Sequence, residues 1–109
     1  MLPLCGEGRA VYCYVDPARR ERFERYVEDA LGACCTAVPR EEALRGEYFG
    51  LGEPGAGLTD RIGHYILVMK ENYVLRDRVM GEGERSVHVG VHGGTSRAEM
   101  LVPVVLASA

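Results

Sequence analysis

The stretch GVHGGTSRAEMLVP, residues 90–103, sets a histidine and two glycines directly ahead of a helix-start signal and an apolar run. Imidazole is a common metal ligand and an acid–base group near neutral pH. Glycines beside it let the backbone pass close to an ion or a substrate. Ser96 and Glu99 stand at the S-x-x-E spacing of a capping box, which predicts one helical turn starting at Ser96 and ended by Pro103. The segment raises the question of whether His92 belongs to a site, with Gly93, Gly94, Ser96 and Glu99 forming the turn beside it; by itself a lone histidine is more often a structural or surface residue than a ligand.

Histidine spacing does not by itself complete a metal site. His88 and His92 are four residues apart, which suits one helix face, but the alternating valines 87, 89 and 91 and the glycines predict an extended chain. There the two rings lie about 13 Å apart, too far to share an ion. His64 follows Gly63 and has no partner in sequence. Other motifs carry little chemistry. GEGRAV precedes a strand instead of joining strand to helix, and GLGEPGAG has no phosphate-binding lysine. Ser86, Thr95 and Ser96 lack the G-x-S-x-G elbow, and Cys5, Cys13, Cys34 and Cys35 form no C-x-x-C, so they read as buried strand thiols.

The elements that must position His92 follow from period and punctuation. RAVYCYV (9–15), after a turn-like GEG at 6–8, reads as a strand. Asp16 as N-cap and Pro17 at the first helical position open a helix that ends at Gly32, with Phe23, Tyr26, Val27, Ala30 and Leu31 as its apolar stripe. ACCTAV (33–38) is the next strand, so strand, helix and strand form a crossover with parallel neighbours. REEALRGEYFG is a short helix, and 51–61 is a Gly- and Pro-rich loop. Tyr65–Met69 and Tyr73–Arg76 predict an antiparallel hairpin, GEGE at 81–84 a turn, and VPVVLA a C-terminal strand. The expected fold class is α/β, with α+β as the alternative: one domain over 1–109, built on a small mixed sheet with one parallel strand-helix-strand unit, a β-hairpin and a C-terminal strand.

Composition narrows the function classes. The chain has 109 residues and a formal net charge of −3, which argues against a nucleic-acid-binding basic patch. Its longest apolar stretch, MLVPVVLASA, is far short of the roughly 18 residues of a membrane span, and the opening MLPLCGEGR has no signal-peptide pattern. A cytoplasmic protein without membrane partners is expected.

The order EEALRGEYFG, DRIGHYILVMKENYVL, VHGGTSRAEMLVPVVL resembles the C-terminal part of the alkaline phosphatase superfamily, closest to its type I phosphodiesterase and nucleotide pyrophosphatase branch. The similarity runs over roughly residues 6 to 106, and its closing His-Gly-Gly segment is the specific part. The resemblance implies that His92 is a ligand of one of two catalytic ions, usually zinc, in a hydrolase of phosphate esters. The nucleophile and remaining ligands lie N-terminal in that family. It therefore implies a chain inactive alone, with zinc held only in a complete enzyme and a catalytic N-terminal domain or partner chain supplying the rest. Where the family often has aspartate after Arg-Ile-Gly, His64 stands here, and Thr95 replaces the commoner leucine. The alternative from another class is a non-catalytic binding or scaffolding module that keeps this fold. In both readings an exposed C-terminal strand edge favours a homo-oligomer.

Overall fold

The computed structural model describes residues 3–77 and 88–108. Its centre is a four-stranded antiparallel sheet in the order β1-β2-β4-β3, with β1 at Cys5–Glu7, β2 at Ala10–Cys13, β3 at Cys35–Pro39 and β4 at Tyr65–Met69. β4 runs between β2 and β3, with Val11 opposite Leu67 on one side and Val38 opposite Ile66 on the other. The helices are short: α1 at Arg20–Tyr26, α2 at Arg40–Arg45, α3 at Leu58–Arg61 and α4 at Arg97–Met100. The fold is α+β.

The period-2 pattern of the strands splits their side chains between two faces. Val11, Cys13, Cys35, Tyr65, Leu67 and Met69 form the main core together with Val15 and Val27, and Phe23 and Leu31 of the first helical segment pack against it. The other face carries Val38 and Ile66, covered by Ala43 of α2. Asp16 caps the start of the first helical segment, its Oδ1 accepting from the Ala18 amide at 2.9 Å, with Pro17 in the first turn. After Tyr26 the helix widens into a π turn over Val27–Leu31 and stops at Gly32, whose carbonyl accepts from Lys70 Nζ at 2.7 Å.

Several expectations are corrected here. β2 and β3 do run parallel, but they are not neighbours, because β4 is inserted between them and pairs antiparallel with both. That insertion also removes the hairpin expected at Tyr65–Met69 and Tyr73–Arg76. Both flanks of β4 are already occupied, so the chain turns at Lys70–Tyr73 and comes back beside the β1–β2 turn, where the Leu75 amide donates to Gly8 O at 2.9 Å. The hairpin that does form is β1–β2, with Gly6 and Glu7 inside its first strand instead of in a turn. No C-terminal strand exists among the described residues. Leu101–Ser108 has no regular structure, and Val105 and Leu106 are each 90% exposed. On α1 and the π turn the apolar stripe is narrower than expected, since Tyr26 is 60% exposed and Ala30 is exposed too. The 51–61 segment is a loop only as far as Gly57, after which α3 makes one helical turn. The expected turn at 81–84, with Arg85, Ser86 and Val87, lies outside the described residues.

The entry to β4 is tightly specified. Gly63 is buried with φ of +65°, and a Cβ there would lie 2.6 Å from Cys13 O. The next residue bonds to the end of β2 and to the chain just past it: the His64 amide donates to Cys13 O at 2.8 Å, and His64 Nδ1 accepts from the Val15 amide at 2.9 Å. Gly63→Ala adds left-handed strain and a backbone clash at the same point, and is expected to destabilise the chain by about 2 kcal/mol. A urea titration checks this: the midpoint should fall with the slope unchanged, and a midpoint within error of wild type would contradict it.

Candidate functional site

The His92 segment reaches the sheet through one carboxylate. His88 to Thr95 has no regular structure, and His88 and His92 are exposed. Gly93 adopts φ of +98° and lies against the Glu7 side chain, where a Cβ would come within 3.1 Å of Glu7 Cβ. Gly94 is buried under the Glu99 carboxylate, which a Cβ would strike directly. Ser96 then caps α4 in the capping box that the S-x-x-E spacing indicates. Glu99 Oε2 accepts from Ser96 Oγ at 2.6 Å and from the Ser96 amide at 3.3 Å, while Ser96 O accepts from the amides of Glu99 and Met100.

The partner of that carboxylate is Arg9, in the β1–β2 turn, and it is only 4% exposed. Its Nε donates to Glu99 Oε1 at 2.9 Å and its Nη2 to Glu99 Oε2 at 2.8 Å, a two-pronged ion pair joining residues 90 positions apart. The remaining nitrogen, Nη1, donates to Tyr73 O at 2.6 Å and Lys70 O at 3.3 Å, which pins the turn after β4. The fork geometry of guanidinium matches a carboxylate in this way, and a buried charge needs such pairing. Hydrogen bonding from Arg9, and next from Ser96, pulls the Glu99 carboxyl down to about 2. In turn, the hydrogen bond with Glu99 raises Arg9 further above its already high value.

The structure thus brings Gly93, Gly94, Ser96 and Glu99 together and leaves the His92 ring at the surface beside them. His64 belongs elsewhere, at the head of β4, where its ring Nδ1 accepts from the Val15 amide. Among the described residues no group of three or more His, Cys, Asp and Glu side chains is placed to hold a metal ion. Zinc takes three protein ligands at a catalytic site, so these residues do not fit the ion by themselves, and His92 offers one donor. The thiols do not compensate. Burial pushes Cys13 up to about 12 and raises Cys35, which keeps both as inert thiols. The expectation of four buried strand thiols holds for these two only, since Cys5 is exposed and Cys34 half-buried.

An open groove of about 510 Å³ runs along β3 between α1 and α2 and is lined by Glu24, Glu28, Glu42, Tyr65 and Lys70 among others. Its lining includes no residue of the His92 segment. Tyr65 donates its hydroxyl to Glu24 Oε1 at 2.5 Å. Burial, then that hydrogen bond, pushes the phenol up to about 12, so it stays neutral and is a structural group.

Sequence reasoning missed Arg9. It is one arginine among many in the chain, and only its burial separates it from the surface ones; the distant Glu99 is already accounted for locally by the capping box. The pair has a pH signature. With the folded carboxyl at about 2 against an ordinary 4.5, the unfolded chain takes up the proton first. The contribution to stability is therefore complete above about pH 4.5 and is lost as pH falls towards about 2. In an amide spectrum recorded across this window, Met100 and Leu101 should leave their folded positions on acidification earlier than Ile66 and Leu67. Loss of all four at one pH would deny the pair this local role.

Compared with protein-family models, with curated proteins and with solved structures, the chain finds no match in any of the three.

Proposed function

We propose that this chain is the C-terminal segment of a metal-dependent phosphate-ester hydrolase of the alkaline phosphatase type, nearest the phosphodiesterase and nucleotide pyrophosphatase branch, and that His92 is its contribution to the metal centre. The observation that carries this reading is the closing motif in its structural setting: an accessible imidazole on a glycine turn whose base is fixed by a doubly hydrogen-bonded ion pair. A ligand that must meet an ion held mainly by other residues needs both properties, exposure and a fixed base. The nucleophile and the other ligands would come from a catalytic N-terminal domain or a partner chain, and His92 would be this chain's single donor to an ion whose charge there would assist ester cleavage. The four free cysteines suit a reducing cytoplasmic setting.

A second reading is a binding or scaffolding module, and the exposed apolar residues Met100, Leu101, Val102, Val104, Val105 and Leu106 favour it. Two copies could pair through this extended segment, giving the homo-oligomer that an unpaired strand invites. Zinc calorimetry and hydrolysis of bis-p-nitrophenyl phosphate separate the readings. The chain alone should bind zinc no better than its His92→Ala variant and should not turn over. Supplied in trans to a catalytic portion carrying the nucleophile and the remaining metal ligands, the wild type should support hydrolysis and His92→Ala should lower kcat on the order of 100-fold. Tight zinc binding by the chain alone, or turnover that survives His92→Ala, would overturn the hydrolase-segment reading. A stable dimer by light scattering with no effect in trans would favour the scaffold.

A further inference from the structure

The segment 88–108 is joined to the rest of the fold in an unusually sparse way. Among the described residues, the hydrogen bonds between it and the sheet are the two from the Arg9 guanidinium to Glu99. Its backbone bonds are local, from Glu99 and Met100 to Ser96 and from Leu101 to Arg97. Neither hydrophobic cluster contains a residue of this segment. What holds the turn that carries His92 is therefore one ion pair, helped by two glycines that let the backbone settle onto Glu7 and under Glu99.

We propose that Arg9 is the positioning residue of the His92 turn: by gripping Glu99 with both prongs of its fork it fixes where the imidazole stands relative to the β1–β2 edge. The same guanidinium holds Lys70 O and Tyr73 O through Nη1, so the end of β4, the β1–β2 turn and the His92 turn share a single anchor. Lysine cannot substitute, because a point charge on a flexible stem reproduces neither the paired contact nor the third bond. Between Gly94 and Glu99 the capping box and α4 make one compact turn, which transmits the placement of the carboxylate to the residues before it. The consequence for a metal centre rests on the reading of His92 as a ligand; the seating of the turn does not.

Nuclear magnetic resonance on the full chain tests this, with Arg9→Lys and Glu99→Gln measured beside wild type. In both variants the order parameters of Val91–Leu101 should fall from about 0.85 to below about 0.6. The His92 ring correlation should move to its unfolded position, while the amides of Val11, Cys13 and Leu67 keep theirs. Glu99→Asp, which keeps the charge on a shorter arm, should recover part of the order. Glu99→Gln keeps the test decisive if Arg9→Lys fails to fold, since its change lies outside the sheet. An ordered His92 turn in Glu99→Gln, or sheet and turn lost together in that variant, would overturn the proposal. So would a disordered turn in the wild type. No readout here involves metal or substrate, so a dispensable His92 in hydrolysis would leave this result standing, and a loose turn would leave the ligand role to be judged by activity.

Discussion

A guanidinium keeps its charge throughout the accessible pH range, so it stays almost wholly buried only where its donors are met, and the arrangement around Arg9 follows from that requirement. Two prongs take the Glu99 carboxylate and the third nitrogen takes two carbonyls after β4. Removing Glu99 leaves the enclosed guanidinium without its counter-charge, whereas Glu99, whose side chain is 23% exposed, can turn to water if Arg9 is lost. The ion pair therefore acts less as added stability than as a constraint on geometry. With Arg9 fixed by strand pairing on either side, Glu99 has one favourable position, and the turn from Gly93 to Met100 must be built around it. Buried Gly94 is a direct result, because any side chain there would occupy the space of the carboxylate.

The second constraint is the central position of β4. Its five residues supply four buried side chains, and its backbone is paired on both sides. Once β4 lies between β2 and β3, these two strands are parallel without touching, and the crossover through α1 spans one intervening strand. The same insertion makes Gly63 and His64 critical, since the chain must enter the middle of the sheet from the α3 turn. A positive φ and a carbonyl within contact distance leave no room for a Cβ, and the amide of Val15, just past the end of β2, needs an acceptor. The imidazole supplies it.

How much of this the sequence disclosed depended on whether the signal was local. The cap at Asp16, the capping box at Ser96, the strands at Ala10–Cys13 and Tyr65–Met69 and the short helix after Pro39 were legible because neighbours in sequence decide them. Strand partners were not. Tyr73–Arg76 has good strand residues, yet both places beside β4 were taken by residues 26 or more positions away from their partners. VPVVLA reads as a strand by propensity and has no sheet to join among the described residues, which shows that β propensity measures fit to a pleated surface and not a backbone preference. Glu99 was legible as a capping residue and illegible as an ion-pair partner, since nothing local marks Arg9 as buried.

These two constraints explain why a chain with a well-packed sheet offers so little chemistry of its own. Among the described residues every strongly perturbed group is committed: Cys13 and Tyr65 sit in the main core, and Glu99 is spent on Arg9. The groups left accessible on the His92 side are an imidazole and an apolar extended segment, and they lie on the same stretch of chain, on either side of α4. Both leave the fold from the short α4 turn, so the Arg9–Glu99 pair that seats this turn sets where the imidazole and the extended segment stand relative to the β1–β2 edge.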